Sequence, residues 1–316
     1  MVTPCRSGQP GQLRILVLAG GTSAERDVSL ESGQAVAQTL LRRGHSVQIL
    51  DPACTPLSAA TDIDIILPML HGTGAEDGTL QRELGQLGIP WLGSSAEASA
   101  LTFSKSAARQ ALAAAGLPVA PGFTATADAN SAQIRQAAQS LGTPIVVKPS
   151  AQGSSIGISL VHSWDQLPGA LEMAFRWGPQ IVLERWIAGR EITVPVIDGQ
   201  LFPAIEILPA RPWYDYQAKY RDLQTQYQPH PAGLPDSLLP AVLRAVQVCG
   251  VSAISRTDLR LAPDGTFCIL EINTVPGMTS HSLVPLSIAA AGRDPGEVLE
   301  MLLYRRLQLL PAGAAA

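Results

Sequence analysis

The sequence of 316 residues predicts an α/β protein, with a parallel sheet first and α+β central and C-terminal parts after it. Short apolar runs alternate with amphipathic stretches over residues 1–99, which is typical of a parallel sheet covered by helices. Farther along, strand-like runs meet at tight turns, which indicates antiparallel pairing. The hydrophobic content of 46% and the chain length predict two or three domains with sizeable cores.

Composition excludes several function classes. Charged residues make up 15% of the chain and the net charge is −4, so no basic tract indicates nucleic acid or an anionic membrane surface. No apolar run is long enough to span a bilayer, and the first residues lack an apolar signal segment. Cys5, Cys54, Cys249 and Cys268 are scattered without a C-x-x-C pattern, which argues against a thiolate metal site or a disulfide framework. We expect a cytoplasmic globular protein.

The first predicted domain, residues 1–99, begins with a strand and a capped helix. Gly20-Gly21 forms a turn after the first strand, and Thr22 with Glu25 matches a capping box for a helix that continues to Arg43. The other predicted elements alternate in type. The buried strands are Leu13–Ala19, Ser46–Leu50, Ile63–Leu70 and Ile89–Gly93, and the second helix is Asp77–Leu87.

The central domain, residues 100–187, and the C-terminal domain, residues 188–316, are predicted to be mixed. The central helices are Phe103–Ala115, Asp128–Leu141 and Ser163–Trp177, and its strands include Pro144–Ser150 and Ile181–Trp186. The C-terminal elements are strands Glu191–Ile197 and Leu201–Leu208, helix Asp236–Val248 and a hairpin over Ala253–Asn273. Between them, Pro209–Gly233 reads as irregular. It holds Tyr214, Tyr216, Tyr220 and Tyr227, and this aromatic content predicts a lid over a site.

The hairpin gives the strongest chemical signal. Asp264-Gly265 is a tight-turn dipeptide, and a two-residue loop there would pair Pro263 with Thr266. Counting back then places Asp258 opposite Glu271 and Arg256 opposite Asn273, all on one face. Leu259, Leu261, Leu270 and Ile272 would point to the other face.

Two carboxylates directly opposite each other destabilise a sheet, so a cation is expected between them. Asp258, Glu271 and Asn273 offer oxygen ligands, which predicts Mg²⁺ bound together with phosphate. The alternative is a ladder of salt bridges formed with Arg256 and Arg260.

A glycine-rich loop, Gly153-Ser154-Ser155-Ile156-Gly157, is a weaker signal for phosphate binding. Taken alone, it is more typical of an ordinary hairpin loop. Lys148 interrupts the apolar strand just before it, and a buried charge needs an anionic partner, for which phosphate is a candidate. Lys105, Lys148 and Lys219 are the only lysines in a sequence that otherwise uses Arg, which is either chance or a requirement for compact charges.

The sequence leaves open the roles of two residues of the first predicted domain, Asp51 and His71. Asp51 could mimic the ribose-binding acid of a dinucleotide fold, but a plain turn is preferred because the glycine spacing is absent. His71 ends an apolar strand and is either a packed turn residue or a site residue. No nucleophile-elbow pattern is present, so covalent catalysis by the protein is disfavoured.

Five segments together resemble the D-alanine–D-alanine ligase family of ATP-grasp enzymes. They are LAGGTSAERDVSL (18–30), LHGTGAEDGTL (70–80), VKPSAQGSSIG (147–157), YDYQAKY (214–220) and EINTVPGMTSHSLVP (271–285). The resemblance runs over roughly Leu13 to Leu307 in the family's order. It implies a three-domain ATP-grasp fold with ATP between the central and C-terminal domains. It also implies ligation of two D-alanines through a D-alanyl phosphate, for peptidoglycan precursor synthesis.

The resemblance also implies roles for individual residues. Glu25 would hold the ammonium of the first D-alanine in a triad with Ser154 and Tyr220, and His71 would lie near the substrates. Arg256 and the Gly277 backbone would stabilise the oxyanion, and Ser282 and Leu283 would bind the second substrate. The expected nucleotide residues are Lys105, Lys148, Ser155, Glu184, Trp186 and Glu191, with Lys219 on the transferred phosphate. Asp258, Glu271 and Asn273 would bind two Mg²⁺ ions, with Mn²⁺ as an alternative.

All three lysines thus fall on family phosphate positions, which disfavours chance. The chain departs from the family at Ala151-Gln152 and at Ser255, without loss of a catalytic group. The nearest alternative is a ligase making D-alanyl-D-lactate or D-alanyl-D-serine, and Tyr220 favours the dipeptide. A nicotinamide-dependent oxidoreductase and a non-catalytic nucleotide-binding regulator are more distant alternatives. The family further implies a homodimer.

Overall fold

The computed structural model describes residues 11–210 and 224–308. Its N-terminal part contains a three-stranded sheet of order β2-β1-β3, with both pairs parallel. The strands are β1 (Arg14–Leu18), β2 (Ser46–Leu50) and β3 (Ile65–Pro68), and the helices are α1 (Arg26–Arg42), α2 (Thr79–Leu87) and α3 (Ala96–Phe103). The predicted parallel sheet is confirmed. β2 is an edge strand and largely exposed, so its prediction as buried was wrong. Ile89–Gly93 contributes a single bridge, Ile66 to Trp91, and no strand.

The start of α1 differs from the predicted capping box. The N-cap residue is Glu25 and forms no side-chain cap, so the helix begins one turn after Thr22. Ser29 ties this turn to the sheet, because its hydroxyl donates to the Met69 carbonyl at 2.6 Å and accepts from Gly20 N–H at 2.9 Å. The carboxylate of Glu25, which does not cap the helix, instead lines a cavity.

The central part contains a four-stranded antiparallel sheet of order β4-β7-β5-β6. Its strands are β4 (Gly122–Thr126), β5 (Ile145–Pro149), β6 (Ser159–Val161) and β7 (Gln180–Arg185). Its helices are α4 (Lys105–Ala114), α5 (Ser131–Gln139) and α6 (Leu167–Phe175). The sequence did not reveal β4, whose Thr-rich run alternates only weakly. Ser104 caps α4 and separates it from α3, where one helix beginning at Phe103 was predicted.

The C-terminal part contains a six-stranded sheet in which β11-β10-β8-β12-β13 follow one another and β9 pairs with β8. Its strands are β8 (Arg190–Ile197), β9 (Gln200–Leu201), β10 (Ile205–Leu208), β11 (Gln226–Pro229), β12 (Ile254–Leu261) and β13 (Phe267–Asn273). Its helices are α7 (Leu238–Val248), α8 (Leu283–Ala290) and α9 (Pro295–Arg306). β11 lies inside the stretch predicted to be irregular. Tyr214, Tyr216, Lys219 and Tyr220 lie outside the described residues.

The β12–β13 hairpin has the predicted pairing near the site but a different turn. Arg256 lies opposite Asn273 and Asp258 opposite Glu271, as counted from the sequence. The loop, however, has three residues, Pro263 to Gly265, because Ala262 N–H bonds to the Thr266 carbonyl. The register then shifts between Asp258 and Leu259, leaving Leu270 as an extra residue. The bulge compensates for the longer loop, so the two departures cancel.

Leu270 was predicted on the face opposite the carboxylates, and this was wrong. It lines the same cavity as Asp258 and Glu271, because the bulge removes it from the regular alternation. Leu259, Leu261 and Ile272 lie in the core under the sheet as predicted.

The largest core joins distant parts of the chain. Residues of β1 and β3 pack with residues of α8 and α9, including Val284, Ile288, Leu299 and Leu303. The three sheets use strands from within the ranges 1–99, 100–187 and 188–316, but the N-terminal sheet is covered partly by the last two helices. The division into three domains at these residues stays a prediction. Over residues 11–210 and 224–308, none of the helices combines the length and apolar character that a membrane span needs.

Candidate active site

Two adjoining cavities contain all the predicted site residues that the structure describes. The first, of about 420 Å³, is lined by Glu25, His71, Lys105, Ser154, Arg256, Glu271, Asn273, Gly277, Ser282 and Leu283. The second is lined by Lys105, Lys148, Ser155, Glu184, Trp186, Glu191, Asp258 and Glu271. We call them the substrate cavity and the nucleotide cavity, after the roles that the family resemblance implies for their residues. Lys105 and Glu271 line both, with Lys105 Nζ 3.1 Å from Glu271 Oε2. This pair forms the boundary at which the cavities meet.

The loop after β5 separates the two cavities. Ser154 and Ser155 are both in the left-handed backbone region, with φ of +48° and +59°. Such a conformation costs about 1–3 kcal/mol per residue and persists where the surroundings impose it. Here the left-handed backbone conformation allows consecutive residues to line different cavities. Ser154 lines the substrate cavity and Ser155 lines the nucleotide cavity.

Glu25 lies in a narrow gap between two backbones. Its carboxylate accepts a hydrogen bond from the Ser154 hydroxyl. A Cβ added to Gly153 would lie 2.6 Å from Glu25 Oε2, and one added to Gly72 would lie 2.8 Å from the same atom. Two members of the predicted triad are thus in contact, whereas Tyr220 lies outside the described residues.

His71 lies at the substrate cavity as well as being packed in its turn. It is buried and lines the substrate cavity, and its Nε2 has no hydrogen-bond partner among the residues described. Burial lowers the pKa of His71 to about 4, and the nearby positive charge of Arg256 acts in the same direction. The imidazole is therefore neutral at physiological pH.

Glu76 belongs to the same cavity, although the sequence reasoning did not select it. Its carboxylate accepts from Gly72 N–H at 2.8 Å and lies 3.9 Å from His71 Nδ1. Burial raises its pKa strongly, and the negative charge of Glu25 raises it further. The sequence signal that could have identified Glu76 is an acidic residue in a glycine-rich loop after a buried strand.

Lys148 finds its anionic partner within the protein. Its Nζ lies 2.6 Å from Glu184 Oε2, and the same carboxylate is 3.4 Å from Arg109. Lys148 lies opposite Val182 on β7, diagonally across from Glu184, so both side chains point to one face. The sequence argument required a counter-charge and named phosphate as the candidate. The structure supplies a carboxylate.

The opposed carboxylates of the hairpin also contact protein cations. Arg256 donates from Nε and Nη2 to the two oxygens of Asp258, both at 2.8 Å, and Thr193 donates to Asp258 Oδ1 at 2.7 Å. Arg256 therefore forms the salt bridge of the alternative interpretation, whereas Arg260 pairs with Glu191 instead. Arg256 beside Asp258 and Lys105 beside Glu271 thus supply positive charge next to both carboxylates.

The donor chemistry of these residues nevertheless suits a hard cation. Asp258 and Glu271 offer carboxylate oxygens on neighbouring strands, and Glu271 is shared by both cavities. Asn273 Oδ1 accepts from Val275 N–H at 2.9 Å, which fixes its amide and leaves the oxygen a second lone pair. This set of oxygen ligands fits Mg²⁺.

Ser282 and Leu283 lie at the start of α8 and line the same cavity as Glu25. The Ser282 hydroxyl accepts from Thr279 N–H at 3.0 Å and does not cap the helix. A Cβ on Gly277 would lie 2.9 Å from Ser282 Oγ, so glycine allows the strand-to-helix loop to approach this residue. The first turn of α8 thus faces the substrate cavity.

Asp51 has a structural role. It accepts from the N–H groups of Gly21 and Ala53, both at 2.9 Å, and pairs with Arg26 at 2.5 Å. The hydrogen bond from Arg26 holds the pKa of this carboxyl far below its usual range. It closes the turn after β1, as the preferred interpretation held, and gives no support to a dinucleotide site.

Comparison with known proteins identifies the family. Residues 111–304 match the family model described as the D-ala D-ala ligase C-terminus. This chain belongs to the D-alanine–D-alanine ligase family. Two structures of D-alanine–D-alanine ligase from Bacillus anthracis are similar over 94% of this chain and 98% of theirs. One, complexed with ATP, has 31% identity and a TM-score of 0.80, and the other has 34% and 0.82.

A third similar structure is a D-Ala:D-Ser ligase from Enterococcus faecalis. It has 25% identity and a TM-score of 0.80, with 93% of this chain and 99% of that chain covered. The ATP-grasp fold and the enzyme class expected from the sequence, an ATP-dependent D-alanine–D-alanine ligase, are confirmed by these similarities.

Proposed function

We propose that this chain joins two D-alanine molecules to D-alanyl-D-alanine and converts ATP to ADP and phosphate. The carboxylate of the first D-alanine takes the terminal phosphoryl group of ATP, and the amine of the second D-alanine then displaces phosphate from the resulting D-alanyl phosphate. The observation that supports this most is the meeting of the two cavities at Lys105 and Glu271. A carboxylate in the substrate cavity would lie beside the terminal phosphate of a nucleotide in the other. Phosphoryl transfer needs such positioning and charge neutralisation more than covalent help.

In this proposal the substrate cavity orders both amino acids. Glu25, held by Ser154, takes the ammonium of the first D-alanine. The start of α8 at Ser282 and Leu283 takes the carboxylate of the second, because the first turn of a helix favours negative charge. Arg256 and the backbone of Gly277 stabilise the tetrahedral oxyanion, and neutral His71 lies beside the reacting groups. Tyr220 would complete the triad with Ser154, and Lys219 would contact the transferred phosphate.

The nucleotide cavity holds ATP. Lys105, Lys148 and Ser155 are the proposed phosphate contacts, and Glu184, Trp186 and Glu191 line the remainder of the nucleotide. We propose that Asp258, Glu271 and Asn273 bind two Mg²⁺ ions, with Mn²⁺ as an alternative. When bound, the ions neutralise the charge that develops on the phosphates. Arg256 and Lys105, which hold the carboxylates in this structure, keep the ligands oriented.

Among the possible products, D-alanyl-D-alanine is favoured over the ester D-alanyl-D-lactate and over D-alanyl-D-serine. The ligases at 31% and 34% identity are named for D-alanine alone, whereas the D-Ala:D-Ser ligase is at 25%. We further propose a homodimer and a cytoplasmic enzyme, which are the family's expectations. The domain division at residues 99 and 187 is part of the same proposal.

The test is a coupled assay of phosphate release and product. With ATP and Mg²⁺, we expect phosphate and D-alanyl-D-alanine in equal amounts with D-alanine, and much less product when D-lactate or D-serine is added as second substrate. D-alanine-independent turnover without dipeptide would contradict the proposal.

A second test addresses the metal ligands. Glu271→Gln should lower turnover by at least about a hundredfold, since even residues that only orient a metal ligand cost 10–100-fold. Glu97→Gln is the control, because Glu97 lies on α3 away from both cavities. Full activity of Glu271→Gln at ordinary Mg²⁺ concentration would contradict the assignment.

A further inference from the structure

Arg260 is a buried cation in the nucleotide cavity to which the proposed mechanism gives no role. Its guanidinium carbon lies 4.3 Å above the ring centre of Trp186. Its nitrogens donate to the Ile187 carbonyl at 3.1 Å, the Gly189 carbonyl at 2.9 Å and Glu191 Oε2 at 3.2 Å. Arg260 is 8% exposed. A charge this buried persists only when it is fully engaged, so the plane of the guanidinium is fixed.

The position of Arg260 on β12 relates it to the base end of the cavity. Arg260 and Asp258 lie two residues apart, so they point to the same face, about 7 Å apart along the strand. Asp258 is at the proposed phosphate and metal end, together with Glu271. The same cavity is also lined by Trp186, Arg260 and the apolar side chains of Val146, Ile158, Leu160 and Leu270. These apolar side chains and the fixed planar cation form a slot that suits an aromatic base.

We propose that Arg260 positions the nucleotide base. It holds Trp186, the carbonyls of residues 187 and 189, and Glu191 in one arrangement, and it presents its planar guanidinium to a purine stacked in the slot. Guanidinium groups stack on aromatic faces, with larger effects when the pair is removed from water. This inference rests on the proposed nucleotide site but not on the identity of the amino acid substrates.

The experiment measures nucleotide binding directly, by calorimetry on the full chain, with ATP and with inorganic tripolyphosphate as a base-free probe. In Arg260→Met, the dissociation constant of ATP should rise roughly three- to thirtyfold, which corresponds to a cation–π contact. The dissociation constant of tripolyphosphate should stay within about twofold of wild type. At saturating ATP, the KM for D-alanine should not change.

Two further variants separate positioning from general stability. Arg260→Lys keeps the charge but loses the planar fork, so it should bind ATP nearly as weakly as Arg260→Met. Arg306→Met is the matched control, because Arg306 also lies over a tryptophan, Trp91, at 5.5 Å and bonds its carbonyl, but lines neither cavity. It should leave both dissociation constants unchanged.

If the substitution weakened the binding of ATP and of tripolyphosphate equally, the inference would be overturned, since Arg260 would then only support the fold. An unchanged ATP dissociation constant in a folded Arg260→Met or Arg260→Lys protein would also overturn it. If wild-type protein binds ATP but makes no dipeptide, the proposed function fails while this test remains decisive.

Discussion

At the scale of single residues, the site depends on charges that are buried in pairs. Lys148 and Glu184 have side chains only 6% and 9% exposed, and Arg109 shares the same carboxylate. A buried pair adds little net stability, but removing one partner leaves an unpaired charge. The pair therefore keeps Lys148 extended toward the nucleotide cavity, at the end of a strand that is otherwise apolar.

This pairing predicts strong coupling between the two residues. Glu184→Gln should lower the free energy of unfolding by about 3–5 kcal/mol, because it leaves the Lys148 charge unpaired. Lys148→Met in the same chain should recover part of that loss, by at least about 1 kcal/mol. Urea unfolding of the single and double variants measures the coupling. Additive losses would contradict the pairing.

His71 predicts a pH dependence of stability. Its pKa in the folded chain is about 4, below the ordinary value of 6.5, so the unfolded chain binds more protons between these values. The stability associated with neutral His71 is complete above about pH 6.5 and is lost as pH falls toward 4. The loss over this interval is about 2–4 kcal/mol.

His71→Gln should therefore unfold with a weaker pH dependence than wild type between pH 6.5 and 4, as followed by denaturant titrations at several pH values. Parallel curves for the two proteins would show that His71 becomes protonated in the folded chain as readily as in the unfolded chain.

At the scale of elements, the loop between β5 and β6 fits closely against the start of α1. A Cβ at Gly153 would lie 2.6 Å from Glu25 Oε2, so the loop carries glycine where it passes the carboxylate. Gly153 lines the substrate cavity and not the nucleotide cavity. Neighbouring residues of the loop thus line different cavities.

Gly153→Ala should raise the KM for D-alanine by roughly tenfold, since such overpacking costs about 1–3 kcal/mol. The ATP dissociation constant should change little. Gly169→Ala is the control, because a Cβ there would contact nothing within 4 Å. Initial-rate kinetics with each substrate varied in turn checks the difference. Equal effects on both substrates would show that the whole loop had moved.

The hairpin shows what the sequence predicts and what it cannot. Period-two counting placed Asp258 opposite Glu271 correctly, but through a wrong loop length and an unforeseen bulge at Leu270 that cancelled each other. Local patterns fix which residues alternate, whereas bulges follow from the packing of the whole sheet.

The predicted capping box was wrong for a similar reason, because Glu25 contacts Ser154, 129 residues away. Arg109 and Thr193 were not selected from the sequence because their partners, Glu184 and Asp258, come from other elements.

At the scale of the whole molecule, the N-terminal sheet and the last two helices share one core. Leu303 of α9 is fully buried among residues of β1 and β3, and the Glu300 carboxylate accepts from His45 Nε2 and Arg43 Nε, both at 2.9 Å. The wall that carries Glu25 and the wall that carries Ser282 are therefore held by the same packing. The predicted strands of residues 1–99 indicated the sheet but not its distant cover.

Leu303→Ala should lower the free energy of unfolding by about 2–5 kcal/mol. Because the core is shared, it should also speed hydrogen exchange of the β1 amides, far away in sequence. Leu41→Ala, at a position 53% exposed, is the control and should change neither. Hydrogen exchange of the wild type and of both variants, measured by mass spectrometry, tests this prediction. Faster exchange confined to α9 would show that the two parts unfold separately.

The three-residue hairpin loop is also a suitable site for inserting a reporter domain. Residues 263–266 are exposed, and the bulge lies between them and the opposed carboxylates, so the turn and the pairing of Asp258 with Glu271 are not in one continuous register. A fluorescent reporter domain inserted at Asp264 would sit at the tip of a strand pair whose other end borders both cavities. This hairpin is therefore a natural attachment point for a genetically encoded sensor of substrate occupancy.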